Sequence, residues 1–305
     1  MLARTVAICS ALAAAVLLVG SPGAGARVDA KLTGKIVFAA GAPFGSGGTD
    51  LYTVDADGSH LRQLTNDPAP QYSPSWAPDG RSFVYVKATG NGGLYRMKAT
   101  GGKPRLLFKN PREDNGAITV MDPEWSPDGR RIAFSSTRFS STWTIWTYGM
   151  DGRLVQVTKT FSVHPSWSPN GRRIAYDSPD GIAIVGLDGL GKRVVPKTSS
   201  NDQSPAWSPD GKWIAVRSLN KDWQKHEADS LDIVSPTGTV RKRLFTGNGV
   251  VTPAAWSPAS DAVLVLRVPN PREPRTQLFV VPLGGDRPQP VDGTNGAAGG
   301  ASWHR

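Results

Sequence analysis

The sequence predicts an all-β fold: a six-bladed β-propeller of four-stranded antiparallel blades, its ring closed by the C-terminal strand joining the N-terminal blade. Three observations predict it. Tryptophans fall at Trp76, Trp125, Trp167, Trp207, Trp256 and Trp303, separated by 49, 42, 40, 49 and 47 residues. Four of them share one phrase: Pro-Ser-Trp-Ala-Pro-Asp-Gly from Pro74, Pro-Glu-Trp-Ser-Pro-Asp-Gly from Pro123, Pro-Ser-Trp-Ser-Pro-Asn-Gly from Pro165 and Pro-Ala-Trp-Ser-Pro-Asp-Gly from Pro205, with a weaker copy from Ala254. A period of this size is one supersecondary unit copied along the chain. The two ends are also complementary. The first copy opens at Lys35-Ile36-Val37-Phe38 with no Trp strand before it, and the last stops at Ala301-Ser302-Trp303-His304-Arg305. Joining them completes a sixth blade and leaves no open sheet edge.

The elements follow in chain order. Arg4, the 14-residue apolar run from Val6 to Val19 and the small residues Ala24-Gly25-Ala26 read as a secretory signal peptide over residues 1–26, removed near Ala26. The run is shorter than the ~20 residues that span a bilayer, and no later stretch is apolar enough to do so. The mature chain is therefore expected to be secreted or periplasmic, without a transmembrane segment. Residues 27–33 form a short N-terminal segment and residues 34–305 the propeller. Cys9, the single cysteine, lies inside the apolar run, so the mature chain has no disulfide and no thiolate chemistry. The formal net charge of +10 includes Arg4. No long basic run accompanies it, so no nucleic-acid partner is expected; Arg130-Arg131, Arg172-Arg173 and Arg241-Lys242-Arg243 read as a solvated rim.

Within each repeat, Asp79-Gly80, Asp128-Gly129, Asn170-Gly171 and Asp210-Gly211 are turns that need positive φ. Seven to nine residues past each Trp comes an apolar run, such as Phe83-Val84-Tyr85 or Ile132-Ala133-Phe134, that reads as a strand buried on both faces. Third strands are expected at 51–54, 94–97, 144–147, 182–185, 231–234 and 278–281. Fourth strands are expected at 61–65, 104–108, 154–158, 192–195, 241–245 and, weakly, 289–291.

The phrase Trp-Ser-Pro-Asp-Gly-Arg-Arg-Ile-Ala-Phe, followed by a Leu-Tyr-x-Val-Asp-x-Asp-Gly strand and an Arg-x-Leu-Thr strand, resembles the WD40-like (PD40) repeat of TolB-type propellers. The resemblance covers essentially all of residues 34–305, without the N-terminal α/β domain of TolB. It implies a protein- or ligand-binding module of the cell envelope whose partner is an envelope protein or peptide entering the mouth of the central channel. The same repeat resembles propellers of prolyl-oligopeptidase-like and tricorn-like proteases and of some polysaccharide lyases.

The six repeat tryptophans read as packing between blades. Binding is expected where the repeat breaks, on the face that collects the variable connections 41–49, 66–73, 109–122, 137–143, 160–164, 219–230 and 268–276. Its candidate binding residues are Arg112, Asp122, Glu124, Arg138, Trp143, His164, Asp202, Trp223, His226 and Arg275. Three residues before each Trp, the blades present Ser73, Asp122, His164, Ser204, Pro253 and Gly300 at the inner mouth. Asp122, His164 and Ser204 have the composition of a hydrolytic triad, but triad chemistry needs contacts of about 2.6–3.2 Å. Facing sheets stand roughly 10 Å apart, and Ser204 lacks a Gly-x-Ser-x-Gly elbow. The expectation is a monomeric binding protein with no cofactor and no catalytic residues. The alternative is a metal-assisted lyase or hydrolase acting on an extracellular polymer, with Asp122 and His164 holding the metal and Glu124 or His226 as third ligand.

Overall fold

In the computed structural model of the protein, residues 32–41, 48–88, 92–109, 120–138, 141–219, 229–246, 251–267, 276–285 and 287–305 are described. The signal peptide and the candidates Arg112, Trp223, His226 and Arg275 lie outside them. The described residues form six four-stranded antiparallel sheets arranged as a propeller. Each blade begins at the channel with a Trp-bearing strand: β4 (Gln71–Trp76), β8 (Val120–Trp125), β12 (Val163–Trp167), β16 (Asp202–Trp207), β20 (Val251–Trp256) and β24 (Ala297–His304). The next strand outward is the apolar run the sequence marks, such as β5 (Ser82–Lys87), β9 (Arg131–Ser136), β13 (Arg173–Ser178) and β17 (Ile214–Ser218). It is buried because neighbouring blades cover both its faces.

Closure is as the two chain ends predict. β24 lies beside β1 (Lys35–Gly41), which is followed outward by β2 (Thr49–Asp55) and β3 (Arg62–Gln63), with Ile36 opposite Trp303 and Lys35 opposite His304. Trp303 Nε1 donates to the Thr33 carbonyl at 3.0 Å, and His304 Nε2 lies 3.1 Å from the Pro78 carbonyl of the next blade.

The turn prediction holds in detail. Gly80, Gly129, Gly171 and Gly211 have φ of 64–76°, and Ser260 takes the same left-handed place in the degenerate fifth copy. The carboxylates do structural work there: Asp128 Oδ1 accepts from the Ser126 hydroxyl at 2.6 Å and from the Arg130 amide at 3.0 Å.

Four of the six fourth strands are shorter than the sequence suggests, whereas those at Arg105–Lys109 and Arg241–Thr246 reach or exceed the expected length. β3 is Arg62–Gln63 and β15 is Arg193–Val194, where runs of five and four residues were expected. Hydroxyls replace the ladder beyond them. Thr65, Thr158, Thr198 and Thr294 Oγ1 accept from the amides of Leu51, Ile145, Ile182 and Leu278 at 2.8–3.1 Å. A short outer strand also offers little edge to another chain.

The tryptophans pack between blades. Trp76 sits against Val37, Ala39 and Leu51 of the preceding blade and Phe83 of its own, and Trp125 against Ala77, Val84 and Leu94 of the blade before it. A side-chain latch accompanies this packing. The residue before each Trp reaches to the Trp amide of the following blade: Ser302 to Trp76 at 3.1 Å, Ser75 to Trp125 at 3.2 Å, Glu124 to Trp167 at 3.3 Å and Ser166 to Trp207 at 3.0 Å. Ala206 and Ala255 occupy this position in the last two seams and carry no side-chain acceptor.

Candidate functional site

Each Trp strand carries a β-bulge just before its tryptophan. Register is lost between Tyr72 and Ser75, Met121 and Glu124, Val163 and Ser166, Gln203 and Ala206, Pro253 and Ala255, and across Gly299-Gly300. A bulge sets two residues against one and re-aims a side chain. Ser73, Asp122, His164 and Ser204 hold φ of 49–52°, the left-handed region uncommon for residues with a Cβ. The sixth blade meets the same demand with Gly299 and Gly300, at φ of 64° and 101°. Four blades thus accept a strained residue, costing on the order of 1–3 kcal/mol each, and turn its side chain toward the ring axis.

The result corrects the spacing expected from flat sheets. The Trp strands converge on the axis, and the bulges close the remaining gap. Ser73 Oγ lies 3.5 Å from Asp122 Oδ1, and His164 Nε2 lies 3.8 Å from Asp122 Oδ2. Ser135 Oγ from β9 lies 3.4 Å from Asp122 Oδ2 and accepts the His164 amide at 3.2 Å. The short contact of His164 is with a residue outside the sequence-derived set: Nδ1 is 2.7 Å from Asp177 Oδ2 on β13. The other Asp177 oxygen accepts the Ser204 amide at 2.8 Å. Asp177 left a trace in the sequence, since it is an acid at the end of the otherwise apolar Ile174-Ala175-Tyr176 run.

Charge follows from this geometry. Burial alone would pull the His164 imidazole down. The hydrogen bond to Asp177 and the charges of Asp122 and Asp177 outweigh it, despite Arg217 nearby, and push its pKa up to about 9. Burial raises the Asp177 carboxyl against the opposing pull of His164. At neutral pH the imidazole is a cation with a carboxylate on either side. A cation held this way donates hydrogen bonds and does not act as a general base. Among the described residues, the Ser204 hydroxyl makes no hydrogen bond, so the three triad types gather without the nucleophile–base contact.

The remaining candidates separate. Glu124 lies at neither Asp122 nor His164; it points along the channel wall to the Trp167 amide, with both oxygens at 3.3 Å. Asp202 is buried beside the strand ends, where Arg241 grips it through Nη2–Oδ1 at 2.7 Å and Nη1–Oδ2 at 3.0 Å. Arg241 also reaches Asp232 through Nε at 2.9 Å. This overturns the reading of Arg241 as a solvated rim residue: the hydrogen bond to Asp202, foremost, raises its pKa. Arg138 stacks its guanidinium on Phe108 at 5.5 Å, and Trp143 is half-buried where its carbonyl accepts the Ser162 amide at 2.9 Å. Both belong to the variable face but stand apart from the mouth cluster.

Behind the mouth opens a cavity of about 620 Å³ that follows the ring axis. Its walls are the prolines and tryptophans of the repeat, with Glu124 among them and Met121 exposed at the rim. Among the described residues, no three His, Cys, Asp or Glu side chains gather as a metal-holding group.

The TolB beta propeller domain family, PD40, matches residues 112–260. That stretch is just under half of the chain, and over it the repeat is similar to that of TolB propellers. The Tol-Pal system protein TolB of Alcanivorax borkumensis is 32% identical over 92 residues, which make up 29% of this chain and 19% of that protein. The chain thus spans about a fifth of that relative. The crystal structure of TolB from Acinetobacter baumannii superposes with a TM-score of 0.76 at 17% identity, covering 89% of this chain and 67% of that one. An oligogalacturonate lyase in complex with manganese gives 0.57 at 15% identity over 81% of this chain and 71% of its own. At these identities the two structures share the propeller fold with this chain.

Proposed function

We propose that this TolB-like propeller is an extracytoplasmic binding module of the cell envelope that recognises a protein or peptide at its channel mouth without chemistry. One observation carries the reading. The Trp−3 residues are turned inward by bulges to meet as a polar cluster over an open channel, and the imidazole among them is held as a cation between two carboxylates. Such a cluster presents fixed donors and acceptors to a partner segment and offers no activated nucleophile. The signal-like N-terminus supports an extracytoplasmic site, and the Alcanivorax relative is named a Tol-Pal system protein.

Crosslinking tests the reading. Mature protein crosslinked in envelope extract is expected to capture a discrete partner, identified by mass spectrometry. Met121→Glu at the rim should abolish the capture without shifting the melting temperature by more than about 2 °C, as for a surface substitution. Capture unchanged by the rim substitution removes the mouth as the binding face.

The proximity of Asp122 and His164 favours a second reading, a metal-assisted lyase or hydrolase, because a modest rotation of the imidazole would aim both at one ion. It predicts stoichiometric metal in purified protein and polysaccharide turnover that His164→Ala abolishes. A metal-free preparation that turns over no polymer excludes it.

A further inference from the structure

Deeper in the channel, one side chain departs from the pattern of the ring. At the position before the Trp, five blades carry Ser302, Ser75, Ser166, Ala206 and Ala255, and one carries Glu124. Serine suffices for the latch to the next blade, as the 3.0–3.2 Å contacts of Ser302, Ser75 and Ser166 show. Glu124 makes the same contact at 3.3 Å, so a carboxylate brings charge that the latch does not use. Among the described residues, no Lys, Arg or His pairs with it: the salt bridges of the mouth are those of His164 with Asp122 and Asp177. The residues at the same position on the other five strands, Ser75, Ser166, Ala206, Ala255 and Ser302, line the same cavity and carry no charge. A carboxylate without a counter-charge in a wall of proline and tryptophan is costly unless something pairs with it.

We propose that the channel receives an alkylammonium or guanidinium group, the head of a Lys or Arg side chain on the bound segment, paired with Glu124. The proposal rests on the mouth being the binding face and adds the chemistry of what enters. The cavity of about 620 Å³ is open at the mouth and lined by Glu124, so an extended side chain has room to reach it. Burial, opposed by the Trp167 amide and Ser166, pushes the Glu124 pKa up to about 8. The empty channel therefore holds a mostly protonated acid at neutral pH, which ionises when a cation arrives and releases its proton to solvent. Binding is then expected to strengthen as pH rises from 6 to 8 and to level off above. The other titrating groups near this path are Asp122, Asp177 and His164, and the imidazole keeps its charge over that interval.

The probe is Nα-acetyl-lysine N-methylamide, titrated into the whole mature protein and followed through the indole N–H resonances of the tryptophans by NMR. A saturable shift at Trp167 is expected, absent with the Nε-acetylated probe. Glu124→Gln should weaken binding by about tenfold or more, the worth of a charge-assisted pair. Gln keeps an oxygen for the Trp167 amide, and an unchanged melting temperature verifies the fold. Equal binding of the acetylated probe, an unaffected Glu124→Gln, or no saturable shift in the wild type overturns the proposal. Rim-dependent partner capture that survives Glu124→Gln sinks this inference and leaves the mouth reading standing. Saturable probe binding without rim-dependent capture does the reverse.

Discussion

The arc of the ring from β4 to β16 and the arc from β20 to β24 are built on the same repeat but differ at the Trp−3 position of each blade, and the seams within them differ in their latch. On the first arc the Trp−3 residues are Ser73, Asp122, His164 and Ser204, all left-handed and polar; on the second they are Pro253 and Gly300. The residue before the Trp latches the next blade along the first arc, whereas Ala206 and Ala255 leave the last two seams to packing and to indole bonds such as Trp256 Nε1 to the Ala206 carbonyl at 2.7 Å. The comparison separates what the scaffold needs from what the site needs. Every blade keeps its tryptophan and its bulge. Four blades spend those bulges on side chains that can meet a ligand; of the other two, one turns on Gly299 and Gly300 and one carries Pro253, whose ring holds φ negative.

The largest expected effect tests the shared part. Trp125→Ala empties a buried inter-blade site and should cost about 3–5 kcal/mol, read from denaturant unfolding; Trp256→Ala on the other arc should cost as much. A much smaller loss at either would show that the two arcs do not share one packing principle.

The mouth cluster sets the next test. Asp177→Ala removes the partner of His164 and the acceptor of the Ser204 amide, and should cost about 1–3 kcal/mol. Pro253→Ala, at the mouth of the unlatched arc, should stay within about 1 kcal/mol. The imidazole should also give a pH signature. A histidine whose pKa is raised in the folded state contributes stability that is complete below its ordinary value and is lost as pH rises through the folded one. The melting-temperature gap between wild type and His164→Gln should therefore narrow between pH 7 and 10, with the imidazole resonances titrating near pH 9. A midpoint near the ordinary histidine value would mean that Asp177 does not hold it as the contact implies.

The latch gives the smallest effect. Ser75→Ala should lose about 1 kcal/mol and Ala206→Ser should gain up to about as much. No change in either would assign the seams to packing alone.

The blade count and the closure were legible because period and chain ends are properties of the sequence itself: Trp303 needs Lys35 to Phe38 beside it, and the pairing of Ile36 with Trp303 follows. The turns were equally plain, since Asp-Gly states its backbone demand in two letters. The mouth was only half legible. The Trp−3 residues could be aligned by counting, but a spacing rule for flat sheets misses convergence on an axis and misses the bulge. Asp177 escaped notice because it lies ten residues past its Trp in a strand defined by apolar neighbours, and only the fold shows that this strand end faces the imidazole. Asp202 and Arg241 failed for a different reason. They are distant in sequence, and polar residues near loops look solvated until a buried bidentate pair is seen.

The closing strand has a kinetic meaning. Trp303 bonds to Thr33 across 270 residues of chain, so the ring is completed by its most distant contact, and such contacts form late because the intervening chain must first be ordered. Until then β1 and β4 each lack a neighbour on the closing side, and the channel has no sixth wall. A protease or chaperone meeting the chain at that stage sees an open, sticky arc; one meeting it afterwards sees a ring without an end. Completion of the ring therefore waits for the strand that carries Trp303.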